Sequence, residues 1–489
     1  MLDQAPFIKR LQHHAQQRPE QIALADRSRS LTYAQLYYEV LRLSADFNQR
    51  EAPRVALALA NSVQWVVTDL ALLAASVSKP TVCIPIPSFF STEQKQRLLQ
   101  DSGANLLIDA DGYHHLPQRQ NPPELPLGTV KITYTSGSTG DPKGVCLSAD
   151  NMQRTIEALD QRIGNLPVAR HLSLMPLAVL LENIAGVYLS LWRGYQVDLR
   201  ASEELGVVGA HKLDLQRFYQ ALNQLKPHSL ITTPGLVKAL LHGIQSQQLQ
   251  EEQLLLVAVG GARLLPELER LAQQLKLPLV QGYGLSEFAS VVCFNTPNRV
   301  DGSCSFDPAA VGTVGHPLAH AEVGLQQGEV VVTGNAMLGY LNDPSSWYQN
   351  TIRTGDWGQF DSQGRLIILG RKKHIIVTEF GRNVDPEWLE AELTQLPGIQ
   401  QAAVFGSEEL PLTALLVLHP EQAFSDAQIN AAIARLNQRL PDYAQLQQWH
   451  RAHAEFSLNN QQLTGTGRIR RAAIADAYAD YLSPKRLSV

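Results

Sequence analysis

The chain has 489 residues, 44% hydrophobic and 18% charged, with a net charge of −5. This is the composition of a globular protein of about two to four domains, and with no basic block it excludes nucleic acid as an expected partner. The four cysteines, Cys83, Cys146, Cys293 and Cys304, lack metal-ligand spacing, so buried thiols in a reducing, cytoplasmic setting are expected.

The opening run MLDQAPFIKRLQHH has no apolar core of the signal-peptide kind. Residues 7–48 read as two amphipathic helices around the strand Ile22-Ala23-Leu24-Ala25, with Thr32 as the N-cap of the second. Buried-strand runs at 55–59, 82–86 and 106–108 alternate with helical patterns at 63–75 and 91–103. That alternation predicts a parallel α/β architecture. His114 and His115 fall in a polar loop, and residues 111–128, rich in Pro and Gln, read as a linker.

A short strand at 130–133 leads into Tyr134-Thr135-Ser136-Gly137-Ser138-Thr139-Gly140-Asp141-Pro142-Lys143-Gly144. Glycines let backbone N–H groups approach an anion, hydroxyls add donors, and Lys143 adds a mobile positive charge. The common P-loop requires Ser or Thr directly after Gly-Lys, a pattern absent here. A flexible Ser/Gly linker is the competing reading. Against it, the run ends in Pro-Lys-Gly and resumes an apolar strand at Val145, Cys146 and Leu147. The string resembles the phosphate-binding loop of the adenylate-forming (AMP-binding) superfamily, which includes acyl-CoA synthetases, peptide-synthetase adenylation domains and luciferases. The resemblance implies phosphate contacts from Ser136, Gly137, Ser138 and Gly140, and catalytic roles for Thr139 and Lys143.

Ser148 is expected to cap a helix to about 163, and a strand at 171–176 enters the most apolar stretch, 172–192. Pro176, Glu182 and Asn183 interrupt that stretch, so it reads as a core helix rather than a membrane span, which needs about 20 mainly apolar residues. A helix at 214–225, a strand at 229–232 and a helix opened by Pro234 follow, and then the solvated run 245–253. The strand 254–259 ends in Gly260-Gly261-Ala262, small residues that let a planar ligand lie on backbone at a sheet crevice; a tight strand-to-helix turn is the alternative. Gln281-Gly282-Tyr283-Gly284-Leu285-Ser286-Glu287 then sets an aromatic ring, a hydroxyl and a carboxylate after a strand. These groups suit base stacking, phosphate contact and Mg²⁺ binding. The segment resembles the second core motif of the same superfamily.

From Val311 the sequence turns β-rich, with Val311-Gly312-Thr313-Val314-Gly315, 322–325, 329–333 and Gly339-Tyr340 read as short strands. In Thr354-Gly355-Asp356-Trp357-Gly358 the aspartate can accept from two ribose hydroxyls; a turn carboxylate is the plainer alternative. The strand 366–369 leads to Gly370-Arg371-Lys372-Lys373-His374. The resemblance implies that Asp356 and Arg371 hold ribose and that Lys373 is the hinge between two domains. Beyond it come the loop Gly381-Arg382-Asn383, a helix at 387–396, strands at 402–405 and 412–418, and a helix at 425–440. In long-chain acyl-CoA synthetases the segment matching Leu463-Thr464-Gly465-Thr466-Gly467-Arg468 carries a catalytic lysine. Arg468 stands at that position, keeping the charge with a bulkier planar fork, and Lys485 is a candidate substitute. Val179 follows Met175-Pro176-Leu177-Ala178 where relatives often carry His or an aromatic.

Taken together, the resemblance implies a large N-terminal domain over 1–372, made of parallel α/β subdomains and a β-rich, barrel-like part at about 311–370. A small mobile α+β domain is expected over 373–489. The implied activity is that of an ATP-dependent acid–thiol ligase, closest in type to long-chain fatty acyl-CoA synthetases. It would form an acyl-adenylate from a fatty acid and transfer the acyl group to coenzyme A. Gly261, Ala262 and Tyr283 are expected on adenine, with Gly282, Gly284 and Ser286 beside them, Mg²⁺ on Glu287, and Gly381 in the thiol-tunnel loop. The segments 180–191 and 233–236 are expected to wall the acid pocket. Two alternatives are a fatty acyl-AMP ligase that loads the phosphopantetheine of an acyl-carrier protein, and a nucleotide- or acyl-binding protein whose adenylation is weakened by Arg468. Peripheral membrane contact is left open.

Overall fold

The computed structural model describes residues 5–50, 54–90, 92–117, 121–134, 143–208, 212–250, 253–300, 303–305, 307–378, 383–407, 410–420, 424–464 and 467–482. The chain forms two compact units. The first comprises 1–324, 331–352 and 360–366, and the second 325–330, 353–359 and 367–489.

Two sheets organise the first unit. The nine-stranded sheet runs in the order His316–Pro317, Ser290–Phe294, Leu279–Leu285, Leu256–Val259, Ser229–Thr232, Arg170–Ser173, Gln196–Leu199, Ile22–Ala25 and Ser30–Thr32. The six strands from Leu279–Leu285 to Ile22–Ala25 pair in parallel, and the flanking pairs are antiparallel. The seven-stranded sheet has Val82–Pro85, Arg54–Leu57, Leu106–Asp109 and Lys131–Tyr134 as its parallel centre. Strands such as Val82–Pro85 and Ser229–Thr232 are buried along their whole length, as expected for parallel strands covered on both faces. Several helices start where side-chain oxygens can take orphan N–H groups. Thr32 with Gln35 caps Tyr33–Gln49, and Ser148 with Asn151 caps Ala149–Ile163, both as capping boxes.

Helix Val63–Ala75 is buried almost all round, which carries Asp69 into the core. Lys131, the first residue of the strand that precedes the Ser/Gly-rich run, answers it with Nζ 2.9 Å from Asp69 Oδ2. Asn183 and the Tyr188 hydroxyl donate to the same oxygen.

Three expectations change. The apolar segment after Met175 is not one α-helix but a π-helix, Glu182–Tyr188, continued by the α-helix Leu189–Arg193. His114 and His115 lie in an exposed antiparallel edge strand, Gly112–His115, rather than a loop, because their backbone pairs with Leu106 and Leu107. Val311–Gly315 is a turn, not a strand. Gly312 and Gly315 have φ of 79° and 85°, and a Cβ on Gly315 would lie 2.2 Å from the backbone of Phe294. Among the described residues no helix is long and apolar enough to cross a membrane.

The second unit holds a three-stranded sheet, Ile399–Phe405, Thr413–Leu418 and Gln448–Arg451, with helices Pro386–Leu393 and Asp426–Asn437. Leu389, Leu393, Val404, Leu416, Ile429 and Leu436 form its core, each worth about 1.5–3 kcal/mol of burial. The helix Arg471–Ala477 opens on an ion pair. Arg471 grips both oxygens of Glu390 at 2.6 and 2.7 Å and donates to Val404 O, while Val404 N–H donates to Glu390. Burial lowers the Arg471 guanidinium, but the Glu390 charge more than offsets it. Burial likewise pushes the Glu390 carboxyl up to about 7, against the pull of Arg471 and of Val404 N–H.

Candidate nucleotide and acid site

In the first unit the register aligns Thr232 with Val259 and Val259 with Gln281. The segments that follow, Thr233-Pro234, Gly260-Gly261-Ala262 and Gly282-Tyr283-Gly284, therefore emerge side by side at the carboxyl ends of parallel strands, where open α/β sheets hold their ligands. Gly261 and Ala262 are exposed. Gly261 has φ of 80°, and the space its Cβ would take is empty to 4 Å. Gly260 faces Leu181, whose Cδ2 would lie 3.4 Å from a Cβ there.

Two of the glycines have a second reason to be glycine. Leu279–Leu285 turns through the short 3₁₀ helix Ser286–Phe288 and pairs back with Ser290–Phe294. A Cβ on Gly284 would fall 1.8 Å from Ser290 O, and one on Gly282 2.8 Å from the Phe294 ring. This tight hairpin, with Ala289 at φ 53°, fixes where Ser286 and Glu287 stand. Tyr283, Ser286 and Glu287 are half-buried.

Glu287 is joined to Lys143 by a residue whose chemistry the sequence did not signal. Tyr340 pairs with Val145 in the strand that follows Lys143. Its hydroxyl donates to Glu287 Oε1 at 2.8 Å, and the Lys143 ammonium lies 4.9 Å from the centre of its ring. Met337 N–H donates to the Glu287 carbonyl. A cation, a phenol and a carboxylate thus meet beside the end of the Ser/Gly-rich run. Ser136, Gly137, Ser138, Thr139 and Gly140 lie outside the described residues, as do Gly381 and Lys485. Among the described residues no cluster of three or more His, Cys, Asp or Glu forms. The single Glu287 carboxylate does suit Mg²⁺, which takes one or two protein carboxylates alongside substrate phosphates.

In the second unit Asp356 and Arg371 meet. Asp356 is buried, with its Oδ1 2.8 Å from Arg371 Nε. Arg371 also donates to Thr354 O, and Lys372 N–H to Gly355 O. Gly355 N–H donates to Glu329, which Arg353 and Lys372 flank; the Arg353 hydrogen bond first of all holds the Glu329 carboxyl below its usual range. Arg468 belongs to the same group. It stands in a turn closed by Thr464; burial above all lowers its guanidinium from the usual range, with Arg371 adding to that and Glu387 and Asp356 opposing it. Burial pushes Glu387 upward, but His374, Arg471 and Arg468 together hold it at about 2. Lys373 is exposed in the turn 372–374.

Three of the cysteines, Cys83, Cys146 and Cys293, are free and buried away from solvent, and burial pushes Cys146 and Cys293 up to about 12, so they stay thiols.

Fold and crevice define an open α/β protein with ligand-binding loops at the carboxyl ends of its parallel strands. The chain belongs to the AMP-binding enzyme family, whose model matches residues 11–125 and 113–341, and the model of the AMP-binding enzyme C-terminal domain matches 373–483. Among curated relatives, a 2-succinylbenzoate–CoA ligase of Bacillus velezensis is 26% identical over 438 residues, 81% of this chain and 84% of the relative. The long-chain-fatty-acid–CoA ligase FadD15 of Mycobacterium bovis is 24% identical over 533 residues, 87% and 86% of the two chains. Among solved structures, an anthranilate CoA ligase in complex with anthranoyl-AMP superposes with a TM-score of 0.78 at 18% identity, covering 97% of this chain and 98% of that one. The o-succinylbenzoate CoA synthetase of Bacillus subtilis in complex with its acyl-adenylate gives 0.75 at 21% identity, covering 95% and 97%.

Proposed function

We propose that the chain is an ATP-dependent acid–CoA ligase that activates an apolar carboxylic acid, a fatty acid in the leading reading, as its adenylate and then passes the acyl group to coenzyme A. The observation that carries the adenylation reading is the meeting of Lys143, Tyr340 and Glu287. The acid carboxylate attacks the α-phosphorus of ATP, the bond to the β-phosphate oxygen breaks, and pyrophosphate leaves with the electron pair. Such transfers depend on positioning and charge neutralisation. Lys143, with Ser136 and Thr139, takes the phosphates. Tyr340 orients Glu287 through its hydroxyl and holds the Lys143 ammonium over its ring. Mg²⁺ bound at Glu287 would supply further positive charge to the leaving pyrophosphate. Gly261, Ala262 and Tyr283 take adenine, Asp356 and Arg371 the ribose hydroxyls, and Arg468 the charge that family members place on a lysine. In the second half-reaction the thiol sulfur of CoA attacks the acyl carbon, the acyl C–O bond to the adenylate breaks, AMP leaves with the electron pair, and the thiol proton passes to solvent.

The apolar Leu181 side chain beside Gly260 favours an aliphatic acid. The 2-succinylbenzoate ligases among the relatives supply the second reading, an aryl keto acid. Incubation with ATP, Mg²⁺ and a panel of fatty and aryl acids, with and without CoA, separates these by mass spectrometry. Acyl-CoA with stoichiometric AMP from fatty acids is the expected result. Acyl-CoA from aryl acids alone would replace the substrate, and adenylate that accumulates whatever the CoA would replace the acceptor.

A further inference from the structure

The π-helix Glu182–Tyr188 opens with two adjacent polar residues that are fully buried, Glu182 and Asn183. They serve two different networks. His171 Nε2 donates to Glu182 Oε1 at 2.8 Å, and His171 Nδ1 lies 3.0 Å from Ser229 Oγ. The other oxygen of Glu182 accepts from Met175 N–H at 3.2 Å. Asn183 accepts from Lys131 Nζ at 2.6 Å and donates to Asp69 at 3.1 Å. Gly186 makes room for the first network. A Cβ there would lie 2.3 Å from Glu182 Oε1 and 2.8 Å from His171 Nε2.

The two networks tie the π-helix to two different segments of the first unit. The residues that follow Arg170–Ser173 run from Leu174 to Leu181, and Leu181 borders Gly260. This segment is held at three places: by Glu182 on Met175 N–H, and by the Asn61 side chain, which donates to Met175 O and accepts from Leu177 N–H, each at 2.9 Å. Lys131 begins the strand that ends at Tyr134; its neighbour in the sheet, Gly144–Leu147, starts beside Lys143. π-Helical turns recur at functional sites because the extra residue re-aims side chains. Here the turn aims one side chain at each network.

We propose that Glu182 and Asn61 are positioning residues for the acid substrate, with Asn183 tying their segment to the Lys131 strand. They fix the wall 174–181 against the Lys143–Glu287 side, so that the carboxylate meets the α-phosphorus in register. A 1 Å misplacement can cost about 100-fold in such a reaction. Ser229, His171 and Glu182 resemble a hydrolytic triad in composition, but all three are buried, so they hold a position and touch no substrate.

The proposal rests on the adenylation reading above, and the test separates the two. Acid-dependent pyrophosphate–ATP exchange is measured for the whole chain and for Glu182→Gln and Asn61→Ala, with KM for acid and for ATP determined separately and melting temperature recorded. Glu182→Gln keeps the shape but must present an amide N–H to either Met175 N–H or His171 Nε2–H. Asn61→Ala lies outside the buried network, so it keeps the proposal testable should Glu182→Gln fold poorly. The expected result is a rise of about 10-fold or more in KM for acid in both variants, with KM for ATP within 2-fold of the parent. Equal changes in both KM values, or an unchanged acid KM in Asn61→Ala, overturn the positioning role while leaving the ligase reading intact. A parent chain with no acid-dependent exchange overturns both.

Discussion

Replacing Glu269 with Gln should remove a pH dependence that the fold builds in. Glu269 lies on helix Pro266–Gln274 and is 2% exposed. One oxygen accepts from Gly312 N–H in the turn that follows Pro308–Ala310, and the other has no partner among the described residues. Burial raises its carboxyl from the ordinary 4.5 to about 7, with Gly312 and Arg270 pulling the other way. The folded value lies above the unfolded one, so the folded state binds the proton more tightly. The stability from that proton is complete below about 4.5 and is lost as pH rises through about 7. At about 1.4 kcal/mol per tenfold change, the full loss is about 3–4 kcal/mol. Urea unfolding of parent and Glu269→Gln, followed by tryptophan fluorescence at pH 5 and pH 8, reads this directly. Part of the loss has already occurred at pH 5, so the parent should lose roughly 2–3 kcal/mol more than the variant between those values, with Glu269→Gln the more stable at pH 8. Parallel profiles would refute the reasoning.

Other substitutions test the remaining contacts. Tyr340→Phe keeps the ring under Lys143 but deletes the donor to Glu287, and a hydrogen bond to a charged group is worth about 1.5–3 kcal/mol. Exchange kinetics should show kcat/KM for ATP falling about 10- to 100-fold with the melting temperature little changed. Arg471→Met leaves Glu390 buried without its partner, which should destabilise the second unit by about 3–5 kcal/mol in urea titrations. Gly284→Ala sets a methyl against Ser290 O and should cost about 3 kcal/mol or more. It should also abolish exchange, because the hairpin that carries Glu287 must open.

The parallel core was legible because its strands are continuous apolar runs ending in Gly-Gly or Gly-Tyr-Gly, and both kinds of ending do lie together at one sheet edge. The link between Lys143 and Glu287 was not, because it passes through Tyr340 in a two-residue strand, and nothing local marks that tyrosine as different from any other. Glu182 and Asn183 read as interruptions of an apolar helix. Their partners Asp69, Lys131 and His171 come from three other elements, and only the assembled core shows that the interruptions are satisfied. His114 and His115 were read as a loop because polar residues on an exposed edge strand carry no alternation of hydrophobic and polar positions. In the second unit Asp356 and Arg371 were legible only through their motifs. Their pairing adds what no motif states: the arginine is already occupied by the aspartate.

The most direct test of the central claim is acid-dependent exchange of labelled pyrophosphate into ATP by the intact chain, compared with Lys143→Ala and Glu287→Gln. The account predicts exchange that requires both Mg²⁺ and an apolar acid and falls at least 100-fold in each variant. Exchange that survives in both variants would contradict the assignment of this site, and the absence of exchange with every acid in the parent would contradict adenylation itself.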